Sequence, residues 1–483
     1  MICPRQRFPV LVLAAIFTLP AAAAAQATRA GELRYPPLPA FDIPQPERVV
    51  LDNGMVVMLL EDHELPLVAA TALIRAGSRL DPADKAGLAS LGAEVLRAGG
   101  TQSMPGDALD DFLENRAATI EVNADDDVTR ASLSALKPDL PQVLRVFADV
   151  LRRPAFDNGK LEVARNQAIA EVSRRNDDAM RIVFRELSKV VYGAESPYGR
   201  TPSFTTLRNI RRDDLVAWHR AAFHPDGIVL GLVGDFQREE ALRLIREAFG
   251  DWPRGPASQP AEVPYRKQPS PGVYYVEKND VTQSYIVMGH LGVLYSDPDY
   301  YALEVLNQVL SGSMASRLIA DVRTRRGLAY AVFGGVESEW DHPGLASLFA
   351  STKTETTGAA IESLLEEARD LKTSPPTPEE VDKAKQGLLN SFVFRFDSRR
   401  EVLGRQLVLE CYGYPLDWLS RYRAGVEAVT VEQVRQAVRH LRPEEFAILV
   451  VGPAQGMDKP LSTFGPVTRV DVSLPEPPQG GRQ

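Results

Sequence analysis

Apolar positions along the chain recur at every second residue or at helical spacing, and this pattern predicts alternating groups of strands and helices. The apolar stretch 49–60 is interrupted by Asn53-Gly54, a dipeptide typical of a tight β-hairpin. Neighbouring strand pairs with helices gathered between them favour an α+β fold, with an antiparallel-rich sheet covered by helices. The other elements predicted in the first half are strands over 67–75, 117–124 and 127–134 and helices over 85–97, 105–116, 139–152, 158–177 and 212–222.

The elements that end the first half occur again near the end of the chain. A helix is followed by Pro225, a short apolar strand and Gly234 in one place, and by Pro443, a similar strand and Gly452 in the other. Proline and glycine stand nine residues apart in both places. The economical explanation is that one unit is used twice. The second copy is predicted to contain strands over 272–277, 283–291, 328–337 and 345–352 and helices over 298–310, 313–326 and most of 355–440.

The first residues have the features of a secretory signal peptide. Arg5 and Arg7 precede the apolar stretch 8–19, and Ala21–Ala25 offers a small-residue cleavage site. Because the apolar stretch is too short for a permanent anchor, we expect export to an aqueous compartment, the periplasm in a bacterium, with no membrane anchor after cleavage. The segments predicted are a signal peptide over 1–25, a first domain over 40–250, a proline-rich linker over 251–271, a second domain over 272–470 and a flexible tail over 471–483.

Composition and charge exclude several classes of protein. Of the 483 residues 44% are hydrophobic and 25% charged, which is ordinary for a globular protein and excludes collagen, coiled-coil and disordered classes. Lysine and arginine number 55 against 64 acidic residues, so the net charge is −9. We therefore expect no nucleic-acid partner. Cys3 would leave with the signal peptide, so Cys411 would remain alone, and we expect a buried core thiol there rather than a reactive one.

Several short stretches, in this order and spacing, resemble the pitrilysin family of zinc peptidases, the inverzincins, which include insulin-degrading enzyme and mitochondrial processing peptidase. The resemblance covers nearly the whole mature chain. It implies a clamshell of two homologous halves, each a mainly antiparallel sheet covered by helices. The stretches that carry it are Leu51-Asp52-Asn53-Gly54, Ala76-Gly77-Ser78-Arg79, Gly87-Leu88-Ala89, Gly100-Thr101, Ser196-Pro197-Tyr198-Gly199-Arg200 and Gly327-Leu328-Ala329-Tyr330.

The metal motif that the resemblance implies is degenerate in this chain. Family members carry H-x-x-E-H on a helix of the first half and a glutamate further along as third ligand. Ser90 and Glu94 occupy the two histidine positions, and Ala93 occupies the position of the catalytic glutamate. Glu171 matches the third ligand. The resemblance therefore indicates a non-catalytic subunit of the bacterial two-subunit type.

Chemistry argues against a zinc site at these positions. A catalytic zinc needs three protein ligands and a water, whereas serine ligates poorly and alanine cannot take a proton from water. Glu94 and Glu171 could together hold a hard cation, but such sites generally need more oxygen ligands. The favoured interpretation is an ordinary amphipathic helix that leaves Ser90, Glu94 and Arg97 on its polar side. Its buried stripe would be Leu88, Leu91, Val95 and Leu96.

The histidines offer no replacement for the missing ligands. None of the six stands three or four residues from another, so no helical two-histidine site is predicted. His219 and His224 stand five residues apart across a predicted helix end, and we interpret this spacing as accidental. The chain is therefore expected to hold no metal or other cofactor of its own.

The second half keeps a different part of the family machinery. Family members carry an arginine and a tyrosine seven residues apart that reach the zinc site, and Arg323 and Tyr330 match this spacing. Such donors can stabilise the negative charge of the transition state and hold a substrate carbonyl. Gly327 is predicted to end the helix in a left-handed conformation, so that Tyr330 begins the next strand. The alternative is structural: Arg323 as a helix-terminal cation and Tyr330 as a half-buried aromatic of a strand.

Two functions follow from the resemblance. In the first, the chain is the non-catalytic subunit of a heterodimeric periplasmic zinc metalloendopeptidase. A partner with intact H-x-x-E-H supplies zinc, and this chain donates Arg323 and Tyr330. Peptides or unfolded segments would bind as an added strand, near 119–123 in the first half. In the second, the chain is a pseudopeptidase with a structural or peptide-binding role. A self-sufficient metallopeptidase with an unrecognised site is disfavoured.

Overall fold

The computed structural model describes residues 44–256, 263–396 and 398–474. The predicted signal peptide over 1–25, residues 257–262 of the predicted linker and residues 475–483 of the predicted tail lie outside this part of the chain. In the first half the strands are β1 (Glu47–Val50), β2 (Val56–Glu61), β3 (Leu67–Ile74), β4 (Thr119–Ala124), β5 (Thr129–Leu136) and β6 (Ile228–Gly234). The helices are α1 (Leu88–Ala98), α2 (Gly106–Glu114), α3 (Leu140–Arg152), α4 (Asn158–Arg174), α5 (Ala179–Tyr192), α6 (Phe204–Asn209), α7 (Arg212–Ala222) and α8 (Arg238–Phe249).

The second half contains a similar set of elements. Its strands are β7 (Gly272–Glu277), β8 (Gln283–Leu291), β9 (Val293–Leu294), β10 (Ala329–Val336), β11 (Ser338–Glu339), β12 (Leu345–Lys353), β13 (Ala447–Gly452) and β14 (Val467–Arg469). Its helices are α9 (Tyr300–Ser311), a π-helix (Ile319–Arg325), α10 (Thr357–Thr373), α11 (Pro378–Arg395), α12 (Arg399–Tyr412), α13 (Trp418–Ala428) and α14 (Val431–Ala437). No helix in the described ranges is both long and apolar enough to cross a membrane.

The two sheets share the arrangement of five strands and differ in the sixth, since β1 pairs with β2 antiparallel whereas β14 pairs with β7 parallel. The first sheet has the strand order β1-β2-β6-β3-β5-β4, and the second has the order β14-β7-β13-β8-β12-β10. In each sheet the late apolar strand, β6 or β13, lies parallel to one neighbour and antiparallel to the other. Most of the remaining pairs are antiparallel. The predicted α+β fold of two similar halves is confirmed.

Each half supplies a helix that covers the sheet of the other half. Helix α12 of the second half packs on β6 and β3, and helix α5 of the first half packs on β8 and β13. Leu403 and Leu407 of α12 are buried with Met58 and Leu73 of the first sheet. A side chain at Gly231 would approach Leu407 to 2.8 Å, so the glycine permits this close approach. Strand β6 is buried on both faces for this reason, which explains its continuous apolar sequence.

A mostly buried ion network also joins the halves. Arg79, in one of the stretches that resemble the pitrilysin family, lies 3.0 Å from Asp127 and 2.6 Å from Asp341 of the second half. Arg75 adds a second contact to Asp341 at 2.8 Å. The ring of Tyr198 stacks on that of His342 with centroids 3.8 Å apart. Two of the stretches quoted for their resemblance therefore hold the two halves together.

Two helix predictions were wrong in detail, and one short strand pair was not foreseen. The helix predicted over 158–177 ends at Arg174, because Asp178 accepts hydrogen bonds from two backbone N–H groups and begins a separate helix, α5. The helix predicted over 313–326 starts later, since Ser313 to Ser316 form a turn, and it continues as a π-helix. The short parallel pair of β9 and β11 was not predicted.

Candidate functional site

Helix α1, which carries the degenerate metal motif, is held at its start by a buried carboxylate. Asp81 accepts hydrogen bonds from the backbone N–H of Gly87 at 2.9 Å and of Ala89 at 3.0 Å. Burial raises the pKa of Asp81 to about 6, although these hydrogen bonds oppose the shift. The predicted apolar stripe of the helix is buried. Ser90 and Glu94 are exposed, as predicted.

The four motif positions have different environments. Ser90, Glu94 and Glu171 line one cavity of about 710 Å³ between α1 and α4. Burial and the nearby negative charge of Glu171 raise the pKa of Glu94. Ala93, at the position of the catalytic glutamate, is 1% exposed and packs in the core.

These residues do not fit a catalytic zinc. The donor set is one neutral hydroxyl and two carboxylates that repel each other, with no imidazole and no base beside them. Among the described residues, no group of three close His, Cys, Asp or Glu ligand atoms includes Glu94 or Glu171. A hard cation held by Glu94 and Glu171 is also disfavoured, because such sites generally need more than two oxygen ligands.

Two clusters of aspartate and histidine lie elsewhere, and both are ion networks. Sequence reasoning missed them because each combines residues far apart in the chain. Arg79 occupies the first, and Arg439 lies 2.7 Å from an aspartate of the second. His219, by contrast, is half-buried and bonds to the carbonyl of Leu151 at 2.7 Å. The clusters are Asp127, Asp341 and His342, and Asp297, Asp299 and His440.

Arg323 lies in the π-helix of the second half. The buried Asp321 anchors this element by pairing with Arg325 and Arg326, the latter at 2.8 Å. Arg323 itself is exposed and makes no hydrogen bond or ion pair within the part of the chain that the structure describes. Helices of the π type occur frequently at functional sites, because their wider turn redirects side chains.

Tyr330 stands where the chain reverses from this helix into β10. Gly327 adopts a left-handed conformation with φ of +64°, as predicted, and the N–H of Leu328 bonds back to the carbonyl of Val322 at 2.9 Å. The register shifts between Ala329 and Ala331, so Tyr330 lies in a β-bulge. Its side chain is 79% exposed, which contradicts the alternative of a half-buried strand aromatic. Bulges commonly re-aim a side chain next to an active site.

Both candidate regions lie beside the edge of a sheet. Strand β4 ends the first sheet and β10 ends the second, so each presents backbone groups on its outer side. A cavity of about 440 Å³ separates α1 from β4. Ser90 and Glu94 line this cavity as well as the larger one, so the two cavities meet at the motif positions. The strand near 119–123 is confirmed as an edge strand.

Two family models match this chain. Residues 56–200 match the model described as Insulinase (Peptidase family M16), and residues 209–388 match the Peptidase M16 inactive domain. The chain belongs to the M16 peptidase family. This is the pitrilysin family that the sequence resembles, and the first match contains α1 while the second contains Arg323 and Tyr330.

Curated relatives within the M16 family are distant but cover most of the chain. The "Uncharacterized zinc protease YmxG" of Bacillus subtilis is 24% identical over 413 residues, 85% of this chain and 99% of its own. The "Non-peptidase homolog YmxG" of Helicobacter pylori is 23% identical over 400 residues, 82% of this chain and 91% of its own. Mitochondrial-processing peptidase subunit beta of Saccharomyces cerevisiae is 21% identical over 385 residues, 76% of this chain and 82% of its own.

A solved structure has the same fold. The crystal structure of a peptidase M16 inactive domain from Pseudomonas fluorescens matches with a TM-score of 0.79 and 26% identity, covering 86% of this chain and 100% of that one. The inactive-domain match and the non-peptidase relative agree with the substitutions in α1. This chain is a non-catalytic member of the M16 family.

Sequence reasoning missed some polar residues around the motif. The α1 cavity is also lined by arginines of α4, α5 and the segment between them, at positions 174, 175, 181 and 185. The dipeptide Arg174-Arg175, three residues after Glu171, is the feature of the sequence that indicates positive charge near the motif. Asp81 and Asp321 gave no local signal, because their roles depend on burial.

Proposed function

We propose that this M16 chain is the non-catalytic subunit of a heterodimeric zinc metalloendopeptidase in the periplasm. A catalytic pitrilysin-like partner with intact H-x-x-E-H would supply the zinc and the water-activating glutamate. This chain would supply Arg323 and Tyr330 in trans, to bind the substrate and stabilise the transition state. The signal-like segment over 1–25 supports the periplasmic location.

The observation that carries the proposal is the exposure of two polar side chains on unusual backbone. Arg323 is exposed on a π-helix, and Tyr330 is 79% exposed in a β-bulge directly after the reversal at Gly327. Neither side chain stabilises the fold through a hydrogen bond or ion pair with the described residues. A guanidinium and a phenol hydroxyl left free beside a sheet edge suit an oxyanion or a peptide carbonyl.

Peptide substrates fit the sheet edges. An extended peptide binds to an edge strand through main-chain hydrogen bonds, and β4 and β10 both offer such an edge in this chain. Tyr330 lies near the start of β10, so a strand that adds there would pass beside it. Unfolded segments and peptides are therefore the proposed substrate class.

Reconstitution with a catalytic partner tests this function. An exported M16 chain with intact H-x-x-E-H, encoded next to this one, would be purified alone and mixed with it. Cleavage of a quenched fluorescent peptide library should require both chains. Equal rates for the partner alone and for the mixture would refute the proposal.

The second candidate is a pseudopeptidase with a structural or peptide-binding role and no part in turnover. The non-peptidase name of the Helicobacter pylori relative favours it. In that case Arg323→Ala would leave turnover of the complex unchanged, while removal of this chain would lower the unfolding temperature of the partner. The turnover rate of the complex assembled with Arg323→Ala therefore distinguishes the two candidates.

A further inference from the structure

The cavity beside α1 carries charges of both signs that do not neutralise each other. No ion pair joins Glu94 or Glu171 to an arginine of this cavity in the described ranges. The carboxylates and the guanidinium groups therefore form two separate groups within about 710 Å³. The charged lining residues are Glu94, Glu171, Arg174, Arg175, Arg181 and Arg185.

Arg185 is fixed in place by the protein. Its Nε donates to Glu186 at 2.7 Å, and its two Nη atoms donate to the carbonyl of Arg175 at 3.2 Å and to the Oδ1 of Asn176 at 2.8 Å. A guanidinium tied at all three nitrogens cannot turn away from the cavity. Because it pairs with the buried Glu186, Arg185 contributes mainly by holding the backbone around Arg175 in place.

Arg175 is fixed on one side only. One Nη donates to the Oγ1 of Thr201 at 3.2 Å and to the carbonyl of Pro202 at 2.8 Å. Its Nε and other Nη have no partner in the part of the chain that the structure describes. Burial and the charge of Arg185 lower the pKa of Arg175, and the nearby carboxylate of Glu186 opposes this shift. The Nε and the second Nη of Arg175 can therefore both donate hydrogen bonds to an anion.

We propose that this cavity binds a carboxylate of a peptide, with Arg175 as the principal ligand, Arg174 supplying further positive charge and Arg185 holding Arg175 in position. Arginine recognises carboxylates through paired, charge-assisted hydrogen bonds. Glu94 and Glu171 would repel a multiply charged ligand such as a nucleotide, so a single carboxylate is favoured.

The surroundings of the arginines identify the ligand as a peptide. Leu91, Val172 and Leu207 line the same cavity and would accept an apolar side chain next to the carboxylate. The cavity meets the smaller one along the edge strand β4 at Ser90 and Glu94. An extended peptide on β4 would therefore lead into it. The carboxylate could be the C-terminus of a peptide or an aspartate or glutamate side chain.

This binding activity belongs to the chain alone and needs neither zinc nor the proposed partner. The purified full chain would be titrated into three hexapeptides that carry an uncharged BODIPY dye on a blocked N-terminus, and binding would be followed by fluorescence anisotropy. The first has an uncharged sequence and a free C-terminus, the second is its C-terminal amide, and the third is the amide with one internal glutamate. At least one carboxylate peptide should bind about 10-fold more tightly than the neutral amide.

The pattern of affinities identifies the source of the carboxylate. Preference for the first peptide assigns the site to a C-terminus, and preference for the third assigns it to an acidic side chain. Equal affinity of all three peptides would overturn the proposal. Added salt should weaken the preferred peptide more than the amide.

Substitution of Arg175 tests the assignment of the ligand. Arg175→Gln removes the guanidinium charge but keeps a polar side chain, and it should weaken the preferred peptide about 10-fold while leaving the neutral amide unchanged. Arg243→Gln on α8 is the matched control, since Arg243 pairs with Glu247 on the same helix and does not line the cavity. If Arg175→Gln lowers the unfolding temperature, the same affinities are measured for Arg174→Gln, which changes an exposed side chain. Wild-type affinity in a folded variant would overturn the assignment.

Discussion

Helix α1 and the corner between the π-helix and β10 are the two regions where M16 chemistry would assemble, and their backbones differ. Helix α1 is regular, is capped by Asp81, and carries an inert set of side chains. The corner combines a π-helix, a left-handed glycine and a β-bulge, and it presents Arg323 and Tyr330 to solvent. Unusual backbone geometry costs stability and persists where it positions useful groups. The proposed function accordingly assigns a chemical role to the corner and none to α1.

Loss of the Tyr330 hydroxyl should have the largest effect. In the reconstituted complex Tyr330→Phe should lower kcat about 100-fold, because one transition-state hydrogen-bond donor is worth about 3 kcal/mol. Steady-state rates of peptide cleavage measure this. Tyr301→Phe removes a hydroxyl from the same half and serves as a control, and Ser90→Ala on α1 should also leave the rate unchanged. If Tyr330→Phe lowers kcat by less than about twofold, Tyr330 has no larger role in turnover than Ser90 of α1, which contradicts the proposal.

Restoring imidazoles should reverse the loss of metal binding in α1. Ser90 and Glu94 are exposed beside Glu171, so the double variant Ser90→His with Glu94→His should bind one zinc ion per chain. Zinc at 100 times its dissociation constant should then stabilise the variant by about 2.7 kcal/mol. Metal analysis and thermal unfolding measure this, with Ser90→Ala as the control. Failure to bind zinc would show that more than the ligands has changed in this region.

The support of α1 should make stability depend on pH. The pKa of Asp81 is about 6 in the folded chain and about 4 in an ordinary aspartate, so the folded state keeps a proton that the unfolded state has released. Stability should therefore fall as pH rises from about 4 to about 6, by at most about 1.4 kcal/mol per pH unit, and then level off. Asp81→Asn should flatten this slope in denaturant unfolding. An identical slope in the variant would refute the assignment to Asp81.

Removal of metal should have no effect on either region. Because the residues present in α1 do not fit zinc, EDTA should leave the unfolding temperature of the wild-type chain unchanged. Differential scanning calorimetry with and without the chelator checks this, and the double histidine variant loaded with zinc is the positive control. A decrease of several degrees in the wild-type chain would reveal a metal site outside α1.

Much of the fold and part of the candidate site could be predicted from the sequence. The repeated proline, strand and glycine pattern indicated two units, and the apolar stripe of α1 correctly placed Ser90 and Glu94 on its polar side. The spacing of Arg323 and Tyr330 identified the pair that the structure shows exposed. These features depend on periodicity and on spacing over a few residues, which a sequence displays directly.

Other features depended on contacts between distant residues. The apolar stripe of α5 is visible in the sequence, but only the tertiary structure shows that it packs on the sheet of the other half. The bulge at Tyr330 arises from the register of β10 against β12, and the network around Arg79 needs Asp341 from the second half. The position of Arg175 beside Arg185 depends on the turn between α4 and α5. No local pattern reveals such pairs.

The sequence by itself determined which groups are present: a pair of α+β units, a motif without imidazoles, and an arginine and a tyrosine seven residues apart. The tertiary structure alone decided how they are used, since burial, register and the exchange of α5 and α12 set which side chains are free and which are paired. The physical reason is that apolar periodicity acts within one element, whereas the charge and exposure of a side chain depend on every element packed around it.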